Sequence, residues 1–253
     1  MFNIEFLKEV REYEMDLVKV VLPKPARILE IGAGTGQQAQ ILAAYGHDVV
    51  ALDLAGSNYL ESRIFPVVDY DGRHIPFPDA SFDIVFSSNV LEHVADLGVL
   101  LAECNRVLRP GGIHIHAMPT PAWRFWTTVS GICDLPQTLL VSLKACIPQS
   151  ITYRELYRFF SYPIRALLIS WDRIMPKPHG CHGSALSELL SFRAKAWRKR
   201  LLRNQVVTVS EYSMGLFYTG HMLFGSKLSL GRREKLAKIL GSSCRLYVGR
   251  SLS

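Results

Sequence analysis

The segment Glu30-Ile31-Gly32-Ala33-Gly34-Thr35-Gly36-Gln37 has the residue types of a loop that binds a nucleotide-like ligand. Glycines permit a sharp turn and a close approach of ligand to backbone, and a helix that begins here offers free N–H groups. A dinucleotide-binding loop, G-x-G-x-x-G, would need its third glycine at Gln37. The acid Glu30 does not suit a pyrophosphate but suits an ammonium group. The loop therefore favours a ligand with an amino acid moiety, such as S-adenosylmethionine, over a glycine turn without a ligand.

An acid in register with this loop strengthens the interpretation. Asp53 follows an apolar segment and lies about 20 residues beyond Gly32. Parallel strands present their C-terminal ends at one crevice, where such a carboxylate can accept the hydroxyls of a ribose. Acids at strand ends are common, so Asp53 alone would be weak evidence. Because its spacing from Gly32 would place Asp53 and the glycine loop at the same crevice, the two together support a nucleoside ligand.

Three further segments carry a family resemblance. They are Val68–Asp83, the run Asn89-Val90-Leu91-Glu92-His93, and Glu103–Gly112, which ends in Arg109-Pro110-Gly111-Gly112. With the glycine loop, residues 26–118 resemble the class I S-adenosylmethionine-dependent methyltransferases of the ubiquinone/menaquinone-methyltransferase-like (type 11) group. The resemblance implies a Rossmann-like fold and S-adenosylmethionine as the cofactor.

The resemblance also implies a set of cofactor-binding residues. Asp71, ahead of Ile75-Pro76-Phe77, would meet the adenine amino group, and Asp69 is the competing assignment. Ser88 and Asn89 would line the methionine side. The complete predicted set is Glu30, Gly32, Ala33, Gly34, Gly36, Asp53, Leu54, Asp71, Gly72, Ser88 and Asn89.

Histidines are the candidate catalytic groups. Methyl transfer from a sulfonium depends mainly on proximity and alignment, but a hydroxyl acceptor also needs a base. His93 at the cleft and His182 in the segment Pro176–Gly183 are the candidates; His179 is the alternative to His182, and a purely structural role is the alternative for His93. That segment is predicted to be a loop that closes over the substrate, or a plain connector. Two histidines and one cysteine within four residues cannot readily surround one tetrahedral ion, so no metal site is predicted.

The elements that would position these residues alternate between strand and helix. Strands are predicted at 27–31, 47–52, 64–68, 82–87, 113–118, 206–210 and 244–248, and helices at 37–45, 97–108, 184–204 and 232–240. With the resemblance, this alternation predicts an α/β fold. It is a Rossmann-like, doubly wound seven-stranded sheet, mostly parallel with an antiparallel last strand, plus a helical insertion after strand 5. Residues 1–118 form the N-terminal helix and cofactor-binding half, 119–183 the aromatic-rich insertion on the substrate side, and 184–253 the completion of the sheet.

Composition bears on partners and location. The net charge of +7 lies mostly beyond residue 150, notably in 193–200, and the insertion is rich in aromatic residues. These features suggest a lipid-like or aromatic acceptor or peripheral contact with a membrane; a solvated basic face and an ordinary helical core are the alternatives. No recognition motif supports nucleic acid. Five cysteines without a C-x-x-C pair indicate reduced thiols and a cytoplasmic location.

We therefore predict a methyltransferase for a small-molecule, lipid-like or lipid-linked glycan acceptor. The glycan option is based on a loose resemblance of 212–221 to methyltransferases of bacterial surface-glycan pathways. The rival is a non-catalytic protein of the same fold that binds a partner or a membrane surface. Gln37 and Glu30 disfavour an NAD-dependent oxidoreductase.

Overall fold

A computed structural model describes residues 4–23, 25–133, 177–181, 183–220 and 224–252. Most of the predicted insertion, including His182, lies outside the described residues. The helices are α1 (Ile4–Val21), α2 (Gln37–Ala44), α3 (Leu97–Val107), α4 (Pro121–Cys133), α5 (Ala185–Ser191), α6 (Ala194–Arg203) and α7 (Leu230–Leu240). The strands are β1 (Arg27–Ile31), β2 (Asp48–Leu54), β3 (Val67–Tyr70), β4 (Phe82–Ser88), β5 (Leu108–Pro119), β6 (Val206–Ser213) and β7 (Cys244–Ser251).

The seven strands form one sheet in the order β3-β2-β1-β4-β5-β7-β6. The pairings from β3 to β5 are parallel, whereas β7 runs antiparallel to both β5 and β6. The central strands β1 and β4 are almost continuously buried, as expected for a parallel sheet that helices cover on both faces. The predicted fold class, including the antiparallel last strand, is confirmed.

The N-terminal helix packs on this sheet through a buried stripe of Phe6, Val10, Met15 and Val18. It contacts α2, which follows the glycine loop, and so lies close to the loop. At the other end of the domain, α4 follows β5 almost directly and packs against α5, while α6 packs on β6. None of the described helices is both long enough and apolar enough to cross a membrane.

Three predicted boundaries were wrong for identifiable reasons. The third strand lies at Val67–Tyr70 rather than 64–68, because Pro66 cannot donate to a ladder and the Ile64 N–H bonds the Thr35 carbonyl instead. Strand β5 begins at Leu108, which pairs with Phe82 before a register shift, so Arg109–Gly112 lies within the strand. The predicted helix 184–204 is two helices.

The break between those two helices lies at Phe192 and Arg193. Arg193 is extended, with ψ of 143°, and begins α6. Phe192 is buried, and its ring stacks on that of Trp197 at 6.3 Å. A continuous helix would give up this packing geometry, so burial of two aromatic rings accounts for the interruption.

Candidate cofactor and active site

One cleft opens at the C-terminal ends of β1 to β4, where a parallel α/β sheet binds its ligands. It consists of two adjoining cavities of about 530 and 290 Å³. Both cavities are lined by Gly32, Gly34, Tyr59 and Asn89. The larger reaches Asp53, Asp71 and His93, and the smaller reaches Arg11 and Ser88. The sheet therefore gathers most of the predicted residues around one space.

The glycine loop turns sharply between β1 and α2. Gly32, Gly34 and Gly36 all have positive φ, at 69°, 57° and 78°. A Cβ on Gly32 would lie 2.5 Å from Cγ2 of Val90, and one on Gly36 would lie 2.6 Å from Cβ of Phe65. The N–H groups of Gly32 and Ala33 both bond the Leu52 carbonyl, at 2.8 and 3.1 Å. The loop thus requires glycine for backbone conformation and for space.

Glu30, just before this loop, is a buried acid that lacks a full set of partners. Its side chain is 1% exposed. The backbone N–H of Ala39, at the start of α2, donates to its carboxylate, whereas Oε2 has no hydrogen-bond partner. Burial raises the pKa of Glu30 to about 8, and the nearby Asp53 adds to the rise. An orphaned carboxylate oxygen at this position fits a cationic ligand group.

Asp53 is held at the end of β2 by three donors. Its Oδ2 accepts from the Gly34 N–H and the Ser57 hydroxyl, both at 2.9 Å, and its Oδ1 accepts from the Leu54 N–H at 2.8 Å. A carboxylate has about four acceptor positions, so one remains open. Ser57 can rotate away and free a second. Asp53 therefore fixes the glycine loop and retains acceptor capacity toward the cleft.

The two candidate acids near the end of β3 differ in position. Asp71 lines the cleft, and its Oδ1 accepts from the N–H groups of Arg73 and His74 at 2.7 and 2.8 Å. These backbone bonds lower the pKa of Asp71. Asp69 is paired with Arg63 at 2.7 Å and does not line the cleft. Gly72, with φ of 80°, allows the Leu54 side chain to approach.

Sequence reasoning missed Arg11, which lies on α1 beside the smaller cavity. With the Asn89 amide oxygen turned toward it, Arg11 donates to that oxygen from Nη1 and Nη2 at 2.7 and 3.0 Å. Arg11 also pairs with the buried Glu14 at 2.7 Å, and Glu14 accepts from the Tyr218 hydroxyl at 2.8 Å. This support holds a guanidinium at the predicted methionine side. The available signal was a charged pair, Arg11 and Glu14, close to the apolar stripe of the helix.

His93 lies at the opposite end of the cleft, in a short 3-10 turn after β4. Burial lowers the pKa of His93, and the adjacent Glu92 opposes part of that shift. The ring of His179 lies 4.5 Å from that of His93, between centroids, and 4.5 Å from the ring of Trp123. His182 is outside the described residues, so its predicted role stays a prediction.

Comparison with known proteins agrees with the cleft. The family described as "Methyltransferase domain" matches residues 29–116. Over 90 residues the chain is 43% identical to the malonyl-(acyl-carrier protein) O-methyltransferase of Yersinia pestis, covering 34% of each protein. It is 27% identical over 135 residues to a ubiquinone biosynthesis O-methyltransferase of Rhodopseudomonas palustris (strain HaA2), covering 48% of this chain and 52% of the relative. The chain thus spans a third to a half of the length of these curated relatives.

The whole chain has a counterpart among solved structures. An S-adenosylmethionine dependent methyltransferase from Mesorhizobium loti covers 94% of this chain and 97% of its own, with a TM-score of 0.54 and 17% identity. At this identity the likeness establishes the fold, which is that of the class I methyltransferases. Residues 29–116 match the methyltransferase domain family, and the solved structure with this fold is that of an S-adenosylmethionine dependent enzyme. The predicted resemblance and cofactor are confirmed.

Proposed function

We propose that this protein transfers a methyl group from S-adenosylmethionine to a small-molecule acceptor. The observation that carries the proposal is Glu30, whose buried carboxylate keeps one unpartnered oxygen directly before the glycine loop. An uncompensated buried carboxylate is costly unless a cation joins it. The α-ammonium group of the cofactor is such a cation, whereas a pyrophosphate would be repelled.

The cleft residues fit the rest of the cofactor as well. Arg11, on the far side of the glycine loop, suits the methionine carboxylate, since a guanidinium binds carboxylates with two parallel hydrogen bonds. Asp53 suits the ribose hydroxyls and Asp71 the adenine amino group. Ser88 and Asn89 border the methionine side and hold Arg11 in place. The predicted set thus acquires one additional member, Arg11.

When bound, the cofactor supplies an electrophilic methyl group on a positively charged sulfur. The protein's contribution is alignment, because an in-line displacement gains most from holding both reactants in position. The glycine loop, Asp53 and Asp71 fix the donor from one side. We place the acceptor beside His93, where the cleft continues toward His179 and Trp123. His93, with its lowered pKa, is suited to take a proton from a hydroxyl.

For the acceptor we propose an oxygen nucleophile on a lipid-like molecule or lipid-linked glycan. Both sequence relatives named above are O-methyltransferases by name. Trp123 on α4 packs against His179, and Phe125 on the same helix is 48% exposed, which provides apolar surface for such an acceptor. The basic helix α6 offers a surface for peripheral contact with anionic lipid. We propose a cytoplasmic location for the protein, consistent with the free cysteines 104, 133, 181 and 244.

Calorimetric titration with S-adenosylmethionine tests the donor site first. We expect one cofactor per chain for the wild type and at least about 30-fold weaker binding for Asp53→Ala, which removes charge-assisted hydrogen bonds. Asp69→Ala is the matched control, since Asp69 is paired with Arg63 outside the cleft. No binding by the wild type refutes the proposal.

Formation of S-adenosylhomocysteine with a panel of quinol, fatty-acyl and glycolipid acceptors then tests transfer. Turnover that requires both donor and acceptor supports the enzyme. Tight cofactor binding with no turnover on any acceptor, combined with liposome binding that depends on α6, supports the non-catalytic alternative instead. The variant pair Arg198→Ala and Lys199→Ala on α6 makes that dependence measurable.

A further inference from the structure

Two neighbouring side chains, Glu92 and His93, meet a third from a distant segment, His179, beside the cleft. Nε2 of His93 lies 3.9 Å from Oε1 of Glu92, and Nε2 of His179 lies 3.8 Å from the same oxygen. One ligand atom from each of the three side chains lies within 4.8 Å of the other two. The group therefore converges on one point rather than forming a row along the surface.

Glu92 is the member that requires an explanation. The residue is 6% exposed, and neither of its carboxylate oxygens has a hydrogen-bond partner. Among the described residues no arginine or lysine pairs with it, and the two imidazoles are its nearest counterparts. A buried carboxylate without donors is expensive, so an additional positive charge is expected at this position.

Backbone hydrogen bonds hold the segment that carries His179 close to Glu92. The Cys181 N–H bonds the Glu92 carbonyl at 3.0 Å, and the Gly180 N–H bonds Oε1 of Glu188 at 2.7 Å. A Cβ on Gly180 would lie 2.5 Å from the Glu92 carbonyl oxygen, so only glycine allows this approach. Glu188 is itself held by Arg124 at 3.2 Å. Hydrogen bonds to the Glu92 backbone and to the Glu188 side chain therefore hold this loop next to the Glu92 carboxylate.

We propose that Glu92, His93 and His179 bind a divalent transition-metal ion at the acceptor end of the cleft. Two imidazoles and one carboxylate are ligands for zinc, iron or cobalt rather than for magnesium or calcium, which prefer oxygen. An ion about 2.1 Å from each ligand requires ligand atoms roughly 3.4 Å apart. The observed separations of 3.8 Å to at most 4.8 Å need contractions of about 0.4 Å to at most about 1.4 Å, which side-chain rotation supplies.

The ion would serve the reaction proposed above, although its binding does not depend on that reaction. Three protein ligands leave a coordination position open, and His93 borders the cavity that contains Gly32 and Asp53. An ion held there would lower the pKa of an acceptor hydroxyl in the open position, and the proton would pass to water. The hydroxyl oxygen then forms a bond to the methyl carbon while the bond from carbon to sulfur breaks, and the sulfur leaves as a neutral thioether. His93 acts in this case as a ligand, which replaces its role as a base.

The sequence-based expectation of no metal considered only the segment 176–183. Glu92 and His93 lie more than 80 residues before His179, so the spacing along the chain gives no signal. The fold supplies the missing carboxylate. Cys181, which the same segment contributes, is exposed and not part of the converging group.

Cobalt titration of the full-length, chelator-treated protein tests the site directly. We expect one Co²⁺ per chain with ligand-field absorption of a nitrogen- and oxygen-ligated ion, and competition by Zn²⁺. Glu92→Gln and His179→Asn should each weaken Co²⁺ binding at least about tenfold. The controls His74→Asn, an exposed histidine beside Glu103, and Cys181→Ser should bind Co²⁺ like the wild type.

The inference is wrong if the wild type does not bind Co²⁺ stoichiometrically. It is also wrong if the Glu92→Gln and His179→Asn variants bind Co²⁺ as tightly as the wild type. If Glu92→Gln does not fold, His179→Asn on the more exposed side decides. Titration of the same samples with S-adenosylmethionine separates the two proposals. Cofactor binding without Co²⁺ binding overturns only the metal site, and Co²⁺ binding without cofactor binding overturns only the proposed function.

Discussion

Replacement of Glu30 by glutamine should change cofactor affinity and stability in opposite directions. In the free protein the pKa of Glu30 is raised to about 8, so the carboxyl is mostly protonated at pH 7. An ammonium ligand binds the ionised form. The ionised fraction rises from about 0.01 at pH 6 to about 0.5 at pH 8, while the ligand's α-amino group keeps a charged fraction of about 0.4 at pH 8. Wild-type affinity should therefore increase about 20-fold between pH 6 and pH 8, and that of Glu30→Gln should not.

The stability of the free protein follows from the same pKa. The unfolded chain ionises this carboxyl near its usual value of 4.5, so between pH 4.5 and 8 the folded state binds more protons and loses stability as the pH rises. At pH 7 the cost is about 3 kcal/mol. Glu30→Gln removes the titration and should raise the Tm of the free protein by roughly 6–12 °C, while it weakens binding.

Calorimetry at pH 6, 7 and 8 and thermal unfolding without ligand check both results. At pH 7, titrations in buffers of different ionisation enthalpy should show release of about 0.8 proton per cofactor bound by the wild type and none by the variant. Flat wild-type affinity across this range, or a variant that binds as tightly as the wild type at pH 8, would refute the assignment of Glu30 to the ammonium group.

Three further changes probe other contacts. Arg11→Lys should weaken S-adenosylmethionine binding about tenfold but leave methylthioadenosine, which lacks the amino acid, unaffected; equal losses in calorimetry would contradict a carboxylate role. Gly32→Ala, with φ of 69° and a Cβ 2.5 Å from Val90, should lower stability by about 1–2 kcal/mol, and Val90→Ala should recover only part of it; an unchanged Tm argues against strain in the loop. Arg124→Met strands the buried Glu188 carboxylate and should cost about 3–5 kcal/mol in urea unfolding, and less when combined with Glu188→Gln. Additive losses would mean that the pair is not coupled.

The first half of the fold and the position of the glycine loop were predictable because the signals are local. A strand, a glycine turn and a helix follow one another within residues 27–44, and the parallel sheet brings Asp53 to the same crevice. Asp71 and Asp69 could be separated only by the structure, since both lie near the end of β3. In the structure Arg63 pairs with Asp69, whereas backbone N–H groups fix Asp71 at the cleft, and this difference supports Asp71 in the proposed site.

Arg11 on the cofactor side and the residues beside the proposed acceptor position were harder to predict because they come from distant segments. Arg11, Glu92 and His179 belong to a terminal helix, a turn after β4 and a loop before α5, and no periodicity links them. Interruptions of regular elements also depended on tertiary packing. Burial of Phe192 on Trp197 divides the helix predicted for 184–204, a choice that helix propensity alone does not reveal.

Buried glutamates that lack a compensating cation indicate where a bound ligand would supply positive charge. In the described part of the chain four glutamates have an unpartnered buried oxygen: Glu30, Glu92, Glu188 and Glu211. Arginines lie within 3.2 Å of Glu188 and Glu211, so those two are compensated within the protein. Glu30 precedes the glycine loop and Glu92 precedes His93, and neither has such a partner. Each therefore costs stability in the free protein, and we propose that an ammonium group beside Glu30 and a metal ion beside Glu92 supply the missing charge.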